Sequence, residues 1–301
     1  MEPKDFNPQT LSERDFLLLD PLRVEQEGAA PWKTLPLQGL APPGFEAQAH
    51  QLPYLLAWQD LNPEHRLLVR ELLLDSDELV SAPMCVGVLQ SAASAGDLRR
   101  HLRHLLTPHF PGGERGVFRF YDPVVLAHLS WMLADLERSV FFGPVATWSF
   151  PLEGNWHISQ TPFPGAPHIR FAPGAEVWLR ISRIGSLHAV LESEHTWRSQ
   201  PTRYGPDVEP WLIKADGYGL ADREDVVSFA RHGLLRHPQF DTHPKVIAVL
   251  NECVGHPSRY RRLMSLWSDD DWQNVSRDLD TPANMRRVSI TNTTQFTQGA
   301  R

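Results

Sequence analysis

The stretch Gly116-Val117-Phe118-Arg119-Phe120-Tyr121-Asp122-Pro123-Val124-Val125-Leu126 constrains the fold more than any other part of the chain. Phe118 and Phe120 alternate with Val117, Arg119 and Tyr121, a period of two that predicts a strand over 116–121. The pattern stops at Asp122-Pro123. Proline forfeits no needed N–H at the first helical position, and it pushes the residue before it to extended geometry. An aspartate held there faces the free N–H groups of the first turn and the positive end of the helix. Val125, Leu129, Met132, Leu133 and Leu136 then recur at helical spacing, which predicts one amphipathic helix over 123–136.

The rest of the first half alternates in the same way. Asp15 to Leu19, Pro53 to Trp58 and Met84 to Leu89, the last bounded by Pro83 and Ser91, are short apolar runs that read as strands, and Pro63 to Leu74 reads as a helix. In the next helix Leu98, Leu102, Leu105 and Leu106 form the buried stripe, with Arg99, Arg100, Arg103 and His104 outward. Such alternation predicts a layered α/β (α+β) N-terminal lobe over residues 1–150. Between 151 and 212, Trp156 to Ser159, His168 to Phe171 and Val177 to Ile181 are short runs separated by Pro/Gly turns, so a small antiparallel extension or a β-rich connector is expected there.

Residues 213–280 read as a mainly helical C-terminal lobe. Asp222 caps a helix with Val226, Phe229, Ala230 and Leu234 inward, and Pro244 opens another with Ile247, Leu250 and Val254 inward. Pro257 opens a third, carrying Tyr260, Leu263, Met264 and Trp267 on one face. Ser268 before Asp269, Asp270 and Asp271 starts a fourth. The polar stretch 281–301 is expected to fray.

Composition narrows the function classes. The chain has 301 residues, 42% hydrophobic and 22% charged, enough for one large or two modest domains with real cores. A net charge of −7 argues against a general nucleic-acid binder. No run approaches the ~18 apolar residues of a membrane span, and the first residues lack the apolar core of a secretory signal. Cys85 and Cys253 each lie among apolar residues without a partner spacing, so they read as buried free thiols in a reducing compartment. The expected location is the cytoplasm.

The run at 118–123 resembles the signature of the type VI secretion effector-chaperone (adaptor) family, domain of unknown function 4123. There a Phe-Arg-Phe-Tyr-Asp-Pro core precedes a helix and then a Phe-Gly-Pro turn. Here the core is Phe118, Arg119, Phe120, Tyr121, Asp122 and Pro123, and the turn is Phe142, Gly143 and Pro144, with Trp148 shortly after. Upstream, Leu18 to Pro21, Pro53-Tyr54-Leu55 and a serine-started basic helix, Ser91 to Leu106, follow the same order. Downstream, Tyr218-Gly219-Leu220 and Phe240-Asp241 are similar to a helical segment of the family's second lobe. The resemblance implies a cytoplasmic chaperone that holds a type VI effector toxin and helps load it on the valine-glycine-repeat (VgrG) spike. It implies no enzymatic activity, no cofactor, no nucleic-acid partner and no membrane insertion.

No Gly-x-Ser-x-Gly elbow, P-loop or dinucleotide fingerprint occurs. His101, His104 and His109 suggest a metal site, but Arg99, Arg100 and Arg103 oppose a cation there, and a solvated basic face explains them. Asp222 to Asp225 and Asp269 to Asp271 sit at expected helix starts, which accounts for them without an ion. Arg119 and Asp122 read either as a docking point or as a cap with an ion pair, and Tyr121 as a buried body whose tip needs one partner. Seven tryptophans lie beyond residue 140. Trp is enriched at interfaces, so Trp197, Trp211 and Trp272 are candidate client-binding anchors. The alternative function is a small-molecule hydrolase using dispersed His, Asp and Glu residues; a regulatory or scaffold protein is a third.

Overall fold

The computed structural model describes residues 6–24, 30–74, 84–113, 116–163, 169–198 and 200–281. Pro83, His168 and the polar stretch beyond Thr281 lie outside the described residues. The chain divides into two compact units, one of residues 1–184 and 198–202, the other of residues 185–197 and 203–301.

The first unit is built on β1 (Asp15–Leu19), β2 (Gln38–Gly39), β3 (Tyr54–Ala57), β4 (Cys85–Ser91), β5 (Val145–Leu152) and β6 (Asn155–Gln160). They form one sheet in the order β2-β3-β1-β4-β5-β6, and each neighbouring pair is antiparallel. Helices α1 (Pro21–Val24), α2 (Ala30–Lys33), α3 (Pro63–Leu74), α4 (Ala95–Leu106), α5 (Pro123–Met132), α6 (Asp135–Phe142) and α7 (Ala175–Ser182) accompany it. β1 lies inside the sheet and its five residues are all buried, as a strand covered on both faces requires. The registers place Phe16 opposite Leu89 and Leu89 opposite Trp148, so these three share one face, while Leu17, Leu56 and Val88 share the other. The second face packs against Val69 and Leu73 of α3, together with Trp32 and Trp58.

Residues 116–121 are not a strand. β4 already has neighbours on both sides, so the sheet offers no slot beside it. The Phe118 N–H bonds the Leu106 carbonyl at 2.9 Å instead, and the Phe120 and Asp122 N–H groups turn back on the carbonyls of Phe118 and Arg119. The alternation holds from Val117 to Phe120, with Phe118 and Phe120 buried and Val117 and Arg119 outward, and ends at Tyr121, which is buried beside Phe120. The expected helix 123–136 is two helices. Its first part, α5, ends at Met132, and the Glu137 carboxylate accepts from the Ala134 N–H at 3.1 Å, marking a new helix start. Arg138 donates to the Ser130 carbonyl at 2.6 Å, satisfying the end of α5. Leu136 consequently falls outside the buried stripe and is exposed.

Two further expectations are corrected. The basic helix begins after Ser94, whose hydroxyl accepts from the Asp97 N–H at 3.2 Å, and not at Ser91, which ends β4. The β-rich connector over 151–212 does not form as such. Trp156 to Ser159 belongs to the main sheet as β6, whereas Val177 to Ile181 lies inside α7 and is followed by helix. Trp178 and Ile181, three residues apart, are the buried pair of that helix.

Helices α8 (Ile184–Leu191), α9 (His195–Arg198), α10 (Pro201–Gly217), α11 (Arg223–Leu235), α12 (Pro244–Cys253), α13 (Arg259–Met264) and α14 (Asp269–Leu279) supply the second unit. Asp222 caps α11 by accepting from the Glu224 and Asp225 N–H groups, and Ser268 caps α14 with Asp271 reaching back to the Ser268 N–H. α12 buries Val246, Leu250 and Cys253, so Ile247 and Val254 point outward, contrary to expectation. Both cysteines are buried, and neither belongs to a disulfide.

Candidate functional site

The signature residues converge on two Asp-Pro helix starts. Asp122 Oδ1 accepts from the Val124 N–H at 2.9 Å, and Asp20 Oδ1 accepts from the Leu22 N–H at 2.9 Å. Arg119 links them. Its guanidinium lies 3.8 Å from Asp20 Oδ2 and 5.5 Å from the centre of the Tyr121 ring. Tyr121 is buried, and that burial, with the nearby Asp20 and Asp122 carboxylates, pushes its phenol up to about 12 although Arg119 pulls it down. Beneath this polar rim Phe120 meets Trp148 at 5.9 Å and Phe141 at 6.3 Å between ring centres, both edge-on, and Phe118 meets Trp178 at 5.3 Å. The Arg119 side chain stays 47% exposed, so it is the member of the signature still open to a partner.

Phe142, Gly143 and Pro144 lock α6 to its surroundings. Phe142 packs on Trp148. Gly143 has φ +54, and a Cβ there would fall within 2.7 Å of three ring atoms of His101, so both the backbone and the space demand glycine. The His101 Nε2–H donates to the Phe141 carbonyl at 2.9 Å, and the Ser91 hydroxyl donates to the Pro144 carbonyl at 2.8 Å. His101 is thereby occupied in the turn, His104 is exposed one turn further along the helix, and His109 offers its carbonyl to Trp178 Nε1 at 3.1 Å. Among the described residues no three or more His, Cys, Asp or Glu side chains gather as a metal site would need. Pro144 also borders a cleft of about 690 Å³ whose walls come from α4 and from residues 169–171.

In the second unit the tryptophan candidates separate. Trp272 is core: it is 4% exposed, 4.7 Å from the His232 ring and 6.0 Å from Phe240, with Arg236 over it at 5.4 Å. It therefore cannot act as a surface anchor in this conformation. Trp211 is half-buried over Gly233, where a Cβ would collide with the indole, and Lys214 sits 4.5 Å above its ring. Trp197 is half-buried beside Tyr204 at 6.3 Å. The aromatic cluster around Phe229 takes in Trp211, Phe240 and Tyr260, which is why tryptophan count alone overstates the exposed aromatic surface.

The two downstream segments of the family resemblance meet here. Buried Asp241 accepts from Lys214 Nζ at 3.0 Å and from the Tyr218 hydroxyl at 3.0 Å. Burial first, then the Asp241 charge, pushes the Tyr218 phenol up to about 12. Sequence reasoning missed Lys214, although its place four residues before Tyr218 on one helix face was a usable signal. It also missed His232, which shares a 2.9 Å hydrogen bond with the buried Tyr260 hydroxyl.

Among the described residues no helix is long and apolar enough to cross a membrane. No curated protein and no solved structure matches the chain. Residues 16–139, from β1 through the signature run into α6, match the model of the family described as Domain of unknown function (DUF4123).

Proposed function

We propose that this protein is a cytoplasmic adaptor that binds a type VI secretion effector toxin and promotes its loading on the VgrG spike. The observation that carries the reading is the DUF4123 match over residues 16–139, since that family is associated with type VI effector adaptors. In this reading the chain is a binding protein without catalysis or cofactor of its own. The Asp20 and Asp122 caps are structural, and Arg119 is the exposed member of the signature that a partner meets. Binding works by difference: the adaptor stabilises a loading-competent toxin and gives it up when contacts with the spike outweigh its own. Co-expression with candidate type VI toxin and spike proteins from the same genome tests the reading. The toxin is expected to co-purify with the chain, and deleting the chain is expected to stop delivery of that toxin while other effectors still leave the cell. Unchanged delivery after deletion overturns it.

A further inference from the structure

We infer that the cleft between α4 and residues 169–171 is the seat of a short acidic, apolar-flanked segment of the client toxin. This rests on the adaptor reading and specifies where its client is held. The chain as a whole carries −7, yet Arg100, His104 and Arg170 converge on this one cleft, with Leu105, Ile169 and Phe171 as apolar wall. Their charges are unequally spent. Arg100 is paired with Asp97 at 2.7 Å. Arg170 holds only the Thr107 carbonyl, at 2.8 Å, and meets no carboxylate among the described residues. His104 makes no hydrogen bond among them and is pushed toward its neutral form by partial burial and by the positive charges of Arg170 and Arg100. Ile169 is an exposed large apolar side chain at the mouth, 55% open.

The cleft, at about 690 Å³, has the size of a ligand pocket and not of a domain interface, which suits a few side chains of an extended or helical segment. One unspent cation, Arg170, beside apolar surface selects a carboxylate flanked by aliphatic groups. The choice of the toxin over the spike follows from the wall at Ile169–Phe171. It lies outside the family-matched residues 16–139, and a wall outside the shared part of the family suits a partner that differs between its members.

The test uses the full chain and the toxin that co-purifies with it, with affinity measured by titration at low and high salt. Arg170→Glu and His104→Glu alter exposed side chains and are expected to leave the melting temperature unchanged while weakening toxin binding by about tenfold or more. Ile169→Ser is expected to weaken it too, and raising salt is expected to weaken the native pair. Reversing a carboxylate in the acidic toxin segment to lysine is expected to restore binding to Arg170→Glu. If the folded double charge variant binds toxin with full affinity, the cleft is not the seat. If those same variants instead lose binding of the spike alone, or of a single-stranded oligonucleotide, the assigned occupant is wrong. If the unaltered chain holds no toxin, the adaptor reading itself fails and takes the occupant with it.

Discussion

The two units bury their aromatic residues in different company. In the first, Phe141 and Trp148 stack while Phe120 meets both edge-on, and the charges of Asp20, Arg119 and Asp122 stay at the rim. In the second, the rings around Phe229 are interleaved with His232, Tyr260, Tyr218 and the Asp241 carboxylate. A ring cluster of the first kind is held by shape and lost volume is its weakness. A cluster of the second kind is held partly by protonation states, so acid is its weakness. The comparison therefore predicts that the units fail under different stresses.

The largest effect should come from Phe120→Ala. Phe120 is fully buried and touches Tyr121, Phe141 and Trp148, so truncation leaves a cavity that the neighbouring rings cannot fill. The expected cost is about 3–5 kcal/mol, read as a lower urea midpoint with the slope unchanged. A loss below ~1 kcal/mol would show that the cluster relaxes, and the contrast between shape-held and proton-held cores would collapse.

Next comes the acid response of the second unit. Burial above all, then the charges of Arg236 and Arg231, lowers the His232 pKa to about 4. The unfolded chain protonates this histidine near pH 6.5 while the folded protein does not until about pH 4. Between those values the unfolded state binds the extra proton, so stability is full above about pH 6.5 and falls as pH drops through the window. The loss is on the order of 3 kcal/mol. Buried His157 in the first unit shifts in the same direction, so the test is the difference between native protein and His232→Gln. That variant should flatten the fall in melting temperature between pH 6.5 and pH 4; an unchanged slope would place the acid sensitivity elsewhere.

How much of this was legible in the sequence follows from the range of the interactions involved. Caps are local, so Asp122, Asp222 and Ser268 were readable, as were the helices opened by Pro63 and Pro244. Sheet membership is not local. Residues 117–120 alternate yet have no strand to pair with, because alternation reports a buried face and not a ladder. Five residues such as Val177 to Ile181 fit either period, and burial of Trp178 and Ile181 decided for helix. α10 was hidden by its own prolines. Pro206 and Pro210 are four apart, so the N–H missing at Pro210 is the one that would have bonded the Pro206 carbonyl, and the helix carries both. At the candidate site the signature residues were legible, but their joining to Asp20 through Arg119 required the fold.

The smallest effects separate structure from docking within the signature itself. Asp122→Ala removes a cap and should cost about 1 kcal/mol. Toxin binding should then fall only as far as folded protein is lost. Arg119→Ala should cost less than ~1 kcal/mol, because its pairing with Asp20 is long, at 3.8 Å, and the guanidinium is half exposed. If Arg119 is the signature residue a partner meets, this milder variant should nevertheless weaken toxin or spike binding more than Asp122→Ala does. Thermal melts and binding titrations on the same two proteins decide the matter. Should Asp122→Ala melt normally but lose its partner, the aspartate is a contact and not merely a cap. Should Arg119→Ala bind both partners fully, the rim of the first unit is structural, and docking must be sought elsewhere, beginning with the basic cleft behind Pro144.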